Sequence, residues 1–142
     1  MNMIPSILLL LSFTLIAAAC ARQNEDLSDA SIEEIAQMIQ DEVGSARASE
    51  TNQCDFIPIG VKPAGGPWGY LVFSTEESSR ERLERLVERY NELDAERNNE
   101  NNGFSTADVA TPPDLSLING TCRGEGPYAW NPGYILEFNG IE

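Results

Sequence analysis

The sequence predicts a small α+β domain, and three observations carry that prediction. Two segments hold apolar residues at helical spacing, several short runs are rich in β-branched and aromatic residues, and turn formers separate them. The expected architecture is an N-terminal helix and an antiparallel sheet of about four or five short strands, packed by one long amphipathic helix. A chain of 142 residues has room for one such domain: residues 31–142 form it, 20–30 are a tether and 1–19 a removable leader.

The first helix opens on a capping box, Ser31 with Glu34, and Ile32, Ile35, Ala36, Ile39 and Val43 recur on one face until Gly44 ends it. Acids fill its polar side, so the stripe suits a protein core rather than a membrane surface. Small polar residues at 45–53 form a loop, and Phe56-Ile57-Pro58-Ile59 reads as an edge strand because proline removes a ladder donor. The turn-rich segment KPAGGPWG at 62–69 leads into a stronger strand, Tyr70-Leu71-Val72-Phe73. Ser74 and Glu77 fit a second capping box, placed before the strongest element of the chain. There Leu83, Leu86, Val87, Tyr90 and Leu93 make one stripe on a helix reaching about Arg97, with Glu76/Arg80 and Glu81/Arg85 as i,i+4 pairs. The turn formers NNENNG at 98–103 stop it. Residues 109–111 suggest a short strand before Pro112-Pro113, and Asn119-Gly120 between 115–118 and 121–123 predicts a hairpin with a type I′ turn. The apolar tail, with Tyr128, Trp130, Tyr134 and Phe138, is expected to add a final strand.

The leader sets the expected address. Residues 3–19 are uncharged, and the apolar stretch 7–16 is about ten residues long, which suits a signal peptide and falls short of the ~20 a spanning helix needs. Ala17, Ala18 and Ala19 stand before Cys20, so the pattern Leu15-Ile16-Ala17-Ala18-Ala19-Cys20 resembles the lipobox of bacterial lipoproteins. Cys20 is then the expected lipidation site, and the partner it brings is a membrane, through an N-terminal lipid. Ala17 replaces the commoner Leu and no base precedes the apolar stretch. Cleavage after the alanines by a general signal peptidase, with Cys20 left as an ordinary residue, is the competing expectation. Ala21 favours the outer membrane, facing periplasm or cell surface; without the lipid the protein would be periplasmic or secreted.

Only Cys20, Cys54 and Cys122 occur. With Cys20 acylated, an even pair remains in an oxidising compartment, so a Cys54–Cys122 disulfide is expected, against the reading of two separately buried thiols. No C-x-x-C is present to suggest redox chemistry.

Composition narrows the chemistry by exclusion. The 23 acids and 9 bases give a formal charge of −14, which repels phosphate and makes nucleic acid a poor partner. There is no histidine, which removes the Ser-His-Asp and Cys-His arrangements and the zincin motifs. An EF-hand register through Asn98, Glu100, Asn102 and Gly103 places Val109 where a bidentate Glu is required, so it fails. Neither metal nor cofactor is expected, and no catalytic residue is assigned. The candidate binding loop is Gly65, Gly66, Pro67 and Trp68, because an exposed Trp among glycines can anchor an interface; tucked under the sheet, it would be core instead.

Cys54, KPAGGPWGYLVFS at 62–74, YNEL at 90–93, FSTA at 104–107, TPP at 111–113 and NGTC at 119–122 follow one another in the chain. In that order they resemble a family of small uncharacterised bacterial lipoproteins with a C-G-G-P loop and a later S-D-C segment. Ala64 and Ala107 stand where those cysteines fall, and Ala48 in place of another. The resemblance implies that one family disulfide has been deleted and that Cys54–Cys122 is the bridge retained. It covers roughly 44–122 and brings no activity with it.

The function expected from all this is a non-catalytic envelope lipoprotein acting as an interaction module with an envelope protein partner, an inhibitor of an envelope enzyme being one such role. The alternative is a small carboxylate-dependent hydrolase of cell-wall glycan, which needs two carboxylates facing one cleft. A third reading is an acidic surface coat without a specific ligand.

Overall fold

A computed structural model of the chain describes residues 26–100 and 103–141. The leader, Cys20 and the first part of the tether lie outside the described residues. The order of elements is α1 (Ile32–Val43), β1 (Cys54–Ile59), β2 (Gly69–Ser74), α2 (Arg80–Glu100), β3 (Asp114–Ile118), β4 (Thr121–Glu125), β5 (Ala129–Trp130) and α3 (Tyr134–Phe138), with one 3₁₀ turn, Thr51–Gln53, before β1. The class is α+β, as the sequence predicts.

The five strands of the described residues form two sheets rather than one. β1 and β2 pair antiparallel in the register Cys54↔Ser74 to Ile59↔Gly69, and β5 adds parallel to β2 through Tyr70↔Ala129 and Leu71↔Trp130. The β3–β4 hairpin stands apart as a second sheet. It turns through Asn119 (φ 52°) and Gly120 (φ 74°), both in the left-handed region that a type I′ turn requires. The hairpin cannot extend the first sheet because the outer edge of β4 is already used. Cys122 N–H donates to Ala46 O at 2.8 Å, and the Asn131 amide both donates to and accepts from the Gly124 backbone. β4 instead lies over β2, with Gly124 so close to the Val72 side chain that a Cβ would stand 2.9 Å from it.

Helices cover the other face. Ile35, Ala36, Ile39 and Val43 of α1 and Leu83, Leu86, Val87 and Tyr90 of α2 are buried together with Ile57, Ile59, Leu71 and Phe73 of the sheet. Ser31 caps α1 through both arms of its capping box, Ser31 Oγ accepting from Glu34 N–H and Glu34 from Ser31 N–H. The Cys54–Cys122 disulfide is formed, with Cα atoms 5.4 Å apart, and ties β1 to β4 across a separation of 68 residues. In the chain-entropy picture a closure this long stabilises the fold by roughly 4 kcal/mol.

Four local expectations change. The α2 helix starts at Arg80, not at the Ser74 box: Ser74 ends β2, a turn follows, and Ser79 Oγ accepts from Arg82 N–H. Glu76, left outside the helix, cannot pair with Arg80 and accepts from Ser49 N–H, while Arg80 pairs with Asp55 and Glu84. Residues 109–111 are irregular, held by side chains rather than by a ladder. The tail gives only the two-residue β5 and then turns at Gly133 into α3, whose Ile135 is buried while Tyr134 and Phe138 are partly exposed.

Candidate functional site

The segment 60–68 joins β1 to β2 and lies against the C-terminal half of α2, which reaches it through one row of polar side chains. Asn91 Oδ1 accepts from Gly60 N–H at 2.7 Å, Asp94 Oδ2 from Val61 N–H at 2.8 Å, and Asn98 Nδ2 donates to Val61 O at 2.6 Å. Asp94 is fully buried, so its charge must be matched, and it is. Oδ2 also accepts from the Trp68 indole N–H at 3.0 Å and Oδ1 pairs with Arg97 at 2.7 Å. Gly60 makes this closeness feasible: at φ 78° a Cβ would lie 2.4 Å from the Trp68 ring.

Lys62 carries the second connection. Its side chain is 3% exposed, and Nζ donates to Asp108 O at 3.0 Å and pairs with Asp108 Oδ2 at 3.1 Å. The ammonium also lies over the rings of Trp68 (5.6 Å) and Tyr128 (5.5 Å), which face it with their negative π surfaces. Asp108 accepts in addition from Thr106 Oγ1 and from the Tyr128 hydroxyl at 2.5 Å. These hydrogen bonds, Thr106 first, then Tyr128, then Lys62, hold the Asp108 carboxyl well below the usual carboxylate range. Two further contacts complete the seam: Ala64 N–H donates to Ser105 Oγ at 3.1 Å and the Tyr70 hydroxyl to Ala110 O at 3.3 Å.

The irregular strap 103–113 is therefore fastened along its length, although it belongs to no helix or strand. Ser105 and Asp108 bond inward to the loop and Ala110 and Pro113 are buried, while two large apolar side chains turn out. Phe104 is 93% exposed and Val109 79%. Next to them are the exposed Pro63, Ala64, Gly65 and Gly66, the two glycines with open space where a Cβ would stand. A depression of ≈ 400 Å³ runs behind, lined by Val61, Lys62, Pro63, Ala95, Asn98, Asn99 and Gly103.

Of the four residues singled out in the sequence, Gly65 and Gly66 form the exposed tip, and Pro67 and Trp68 are half-buried. Trp68 faces Phe138 at 6.2 Å and spends its only donor on Asp94. It supports the loop from beneath, and the large apolar side chains offered to solvent here are Phe104 and Val109. Asp94 and Lys62 were not singled out. Asp94 did leave a signal, since it continues the Leu83, Leu86, Val87, Tyr90 stripe at i+11 and an acid on an apolar stripe marks a buried polar contact.

Among the described residues no helix is long and apolar enough to cross a membrane, and no cluster of three or more His, Cys, Asp or Glu is placed to hold a metal. Compared with protein-family models, curated proteins and solved structures, the chain matches none.

Proposed function

We propose that the protein is a non-catalytic envelope lipoprotein, anchored through Cys20, that acts as an interaction module and engages a protein partner through the face built by loop 62–68 and strap 103–110. The supporting observation is the pairing of fastening and exposure. Asp94 and Asn98 fix Val61 of the loop, and Lys62–Asp108 and Ala64–Ser105 fasten the irregular strap to that loop, yet the strap holds Phe104 almost wholly in water. A side chain displayed on a pre-ordered segment loses little conformational freedom on binding, which is how rigid epitopes gain affinity. Inhibition of an envelope enzyme is one role that such a loop would serve. The resemblance to small bacterial lipoproteins supports the address and is silent on activity.

The glycan-hydrolase alternative draws no support from the carboxylates of the groove beside α2. Glu84, Glu88 and Glu92 all stand on one wall and face Ile57 and Pro58, whereas a hydrolytic pair works from both sides of the scissile bond.

Cross-linked capture from envelope membranes, read by mass spectrometry, tests the proposal. A partner retained by the native protein and lost on Phe104→Ala, with the thermal melt unchanged, is the expected outcome. Equal recovery with native and variant protein would remove this face from the interaction.

A further inference from the structure

A second depression, ≈ 480 Å³, runs between α2 and the free edge of β1, lined by Ile57, Pro58, Glu84, Val87, Glu88, Asn91 and Glu92. Its helix wall continues along the same stripe of α2 into Ala95, Asn98 and Asn99 of the depression behind loop 60–68, so the two hollows follow one another toward the Phe104 face. The floor is apolar, from Ile57, Pro58 and Val87.

The β1 edge has been stripped of donors. Residues 54, 56 and 58 alternate along the strand and share one edge. Cys54 N–H donates to Thr51 O, Phe56 N–H to Asp55 Oδ1 at 2.8 Å, and Pro58 has no N–H. What that edge retains is carbonyl oxygen, and the opposite wall presents carboxylates. Glu84 and Glu92 pair with Arg80 and Arg89 at the exposed rim, where such pairs exchange at little cost, and Glu88 has no ion-pair partner among the described residues. Apart from the Asn91 amide, whose Oδ1 is taken by Gly60 N–H, the polar groups of both walls accept, which fits a ligand whose side chains donate: guanidinium or ammonium groups.

Spacing selects the form of that ligand. Four residues of helix, Glu84 to Glu88 to Glu92, advance ~6 Å per step. Two residues of extended chain advance ~6.6 Å. We propose that this groove takes an extended segment of a partner protein with Arg or Lys at every second position, the basic side chains on Glu84, Glu88 and Glu92 and the intervening apolar ones toward Ile57 and Pro58. The assignment rests on the interaction-module reading above and gives its partner a chemistry. A second copy of the chain is a poor occupant, since each copy carries −14.

Two peptides of equal charge test it against the full chain in detergent: acetyl-Arg-Val-Arg-Val-Arg-amide and its block isomer acetyl-Arg-Arg-Val-Val-Arg-amide, titrated calorimetrically. The alternating peptide is expected to bind about tenfold more tightly. The triple substitution Glu84→Gln, Glu88→Gln, Glu92→Gln should abolish that preference, and Glu33→Gln, Glu125→Gln, Glu137→Gln, with the same change in charge, should keep it. Equal affinity for the two isomers, absence of binding, or a preference that survives the groove triple overturns the proposal. A captured partner that depends on Phe104 but not on the three glutamates would leave the interaction reading standing and remove the groove from it.

Discussion

At the scale of single residues, buried polar groups decide the behaviour of the site. Replacing Asp94 with Ala leaves the Val61 N–H and the Trp68 indole N–H without their acceptor and Arg97 without this carboxylate. Stranding buried donors is expensive, so Asp94→Ala should cost about 3 kcal/mol in denaturant unfolding and release Trp68, read as a red-shifted fluorescence maximum. Asp108 behaves differently because its stabilisation depends on pH. Its carboxyl is held low in the fold by Thr106, Tyr128 and Lys62, so the strap contact is fully present above the unfolded carboxylate value of about 3.9 and is lost as pH falls below it. Acid titration followed by the Tyr128 ring resonances should show the strap loosening only under pH ~4, and Asp108→Asn should remove that transition. Tyr90 gives the opposite sign. Burial pushes its hydroxyl up to about 12, so its share of stability is intact below the unfolded value of about 10 and disappears as pH rises from there through 12. Absorbance at the phenolate band should show one tyrosine ionising near pH 12, absent in Tyr90→Phe.

At the scale of elements, the regular parts follow from local pattern. The capping box of Ser31, the stripe of α2 and the left-handed pair Asn119-Gly120 are local codes, and each is realised, save that Leu93 at the end of the stripe is half-buried and Asp94 takes the buried position beside it. Leu86 is 1% exposed on that stripe, so Leu86→Asp should abolish cooperative melting, and Leu86→Ala should cost about 2–5 kcal/mol. What local pattern could not supply was partnership over distance. The Ser74-x-x-Glu77 spacing mimics a helix start, yet Glu77 Oε2 accepts from Arg47 N–H at 2.9 Å and Glu76 Oε2 from Ser49 N–H at 2.8 Å, so both acids fasten the 45–49 loop instead. The β-prone residues 109–111 make no strand because Asp108 and Ala110 are already bonded to Lys62 and Tyr70. Trp68 was legible as important among its glycines. Its direction was fixed by Asp94, 26 residues away, and no nearby residue encodes that.

At the scale of the whole molecule, two helices and a hairpin sandwich a three-stranded sheet, and one disulfide joins the layers from β1 to β4. The sheet occupies the centre, and the proposed binding face lies at the rim where β1 passes into loop 60–68 and α2 ends. There the chain closes an irregular surface by side-chain hydrogen bonds, a construction that is rigid only while every buried donor keeps its partner. Replacing Cys54 and Cys122 together with Ala should lower stability by roughly 4 kcal/mol and leave the loop contacts of Asp94 intact, since the bridge lies elsewhere in the fold. The most direct test of a pre-ordered binding face is amide hydrogen exchange of the native chain at residue resolution. Gly60, Val61 and Ala64 N–H, each donated to a side-chain oxygen, should exchange slowly, within about tenfold of the core strand amides of β2, and Val61 should lose that protection in Asp94→Ala. Exchange of these three amides at the rates of an unstructured peptide would contradict the account, because a loop that opens freely presents no fixed surface for a partner to recognise.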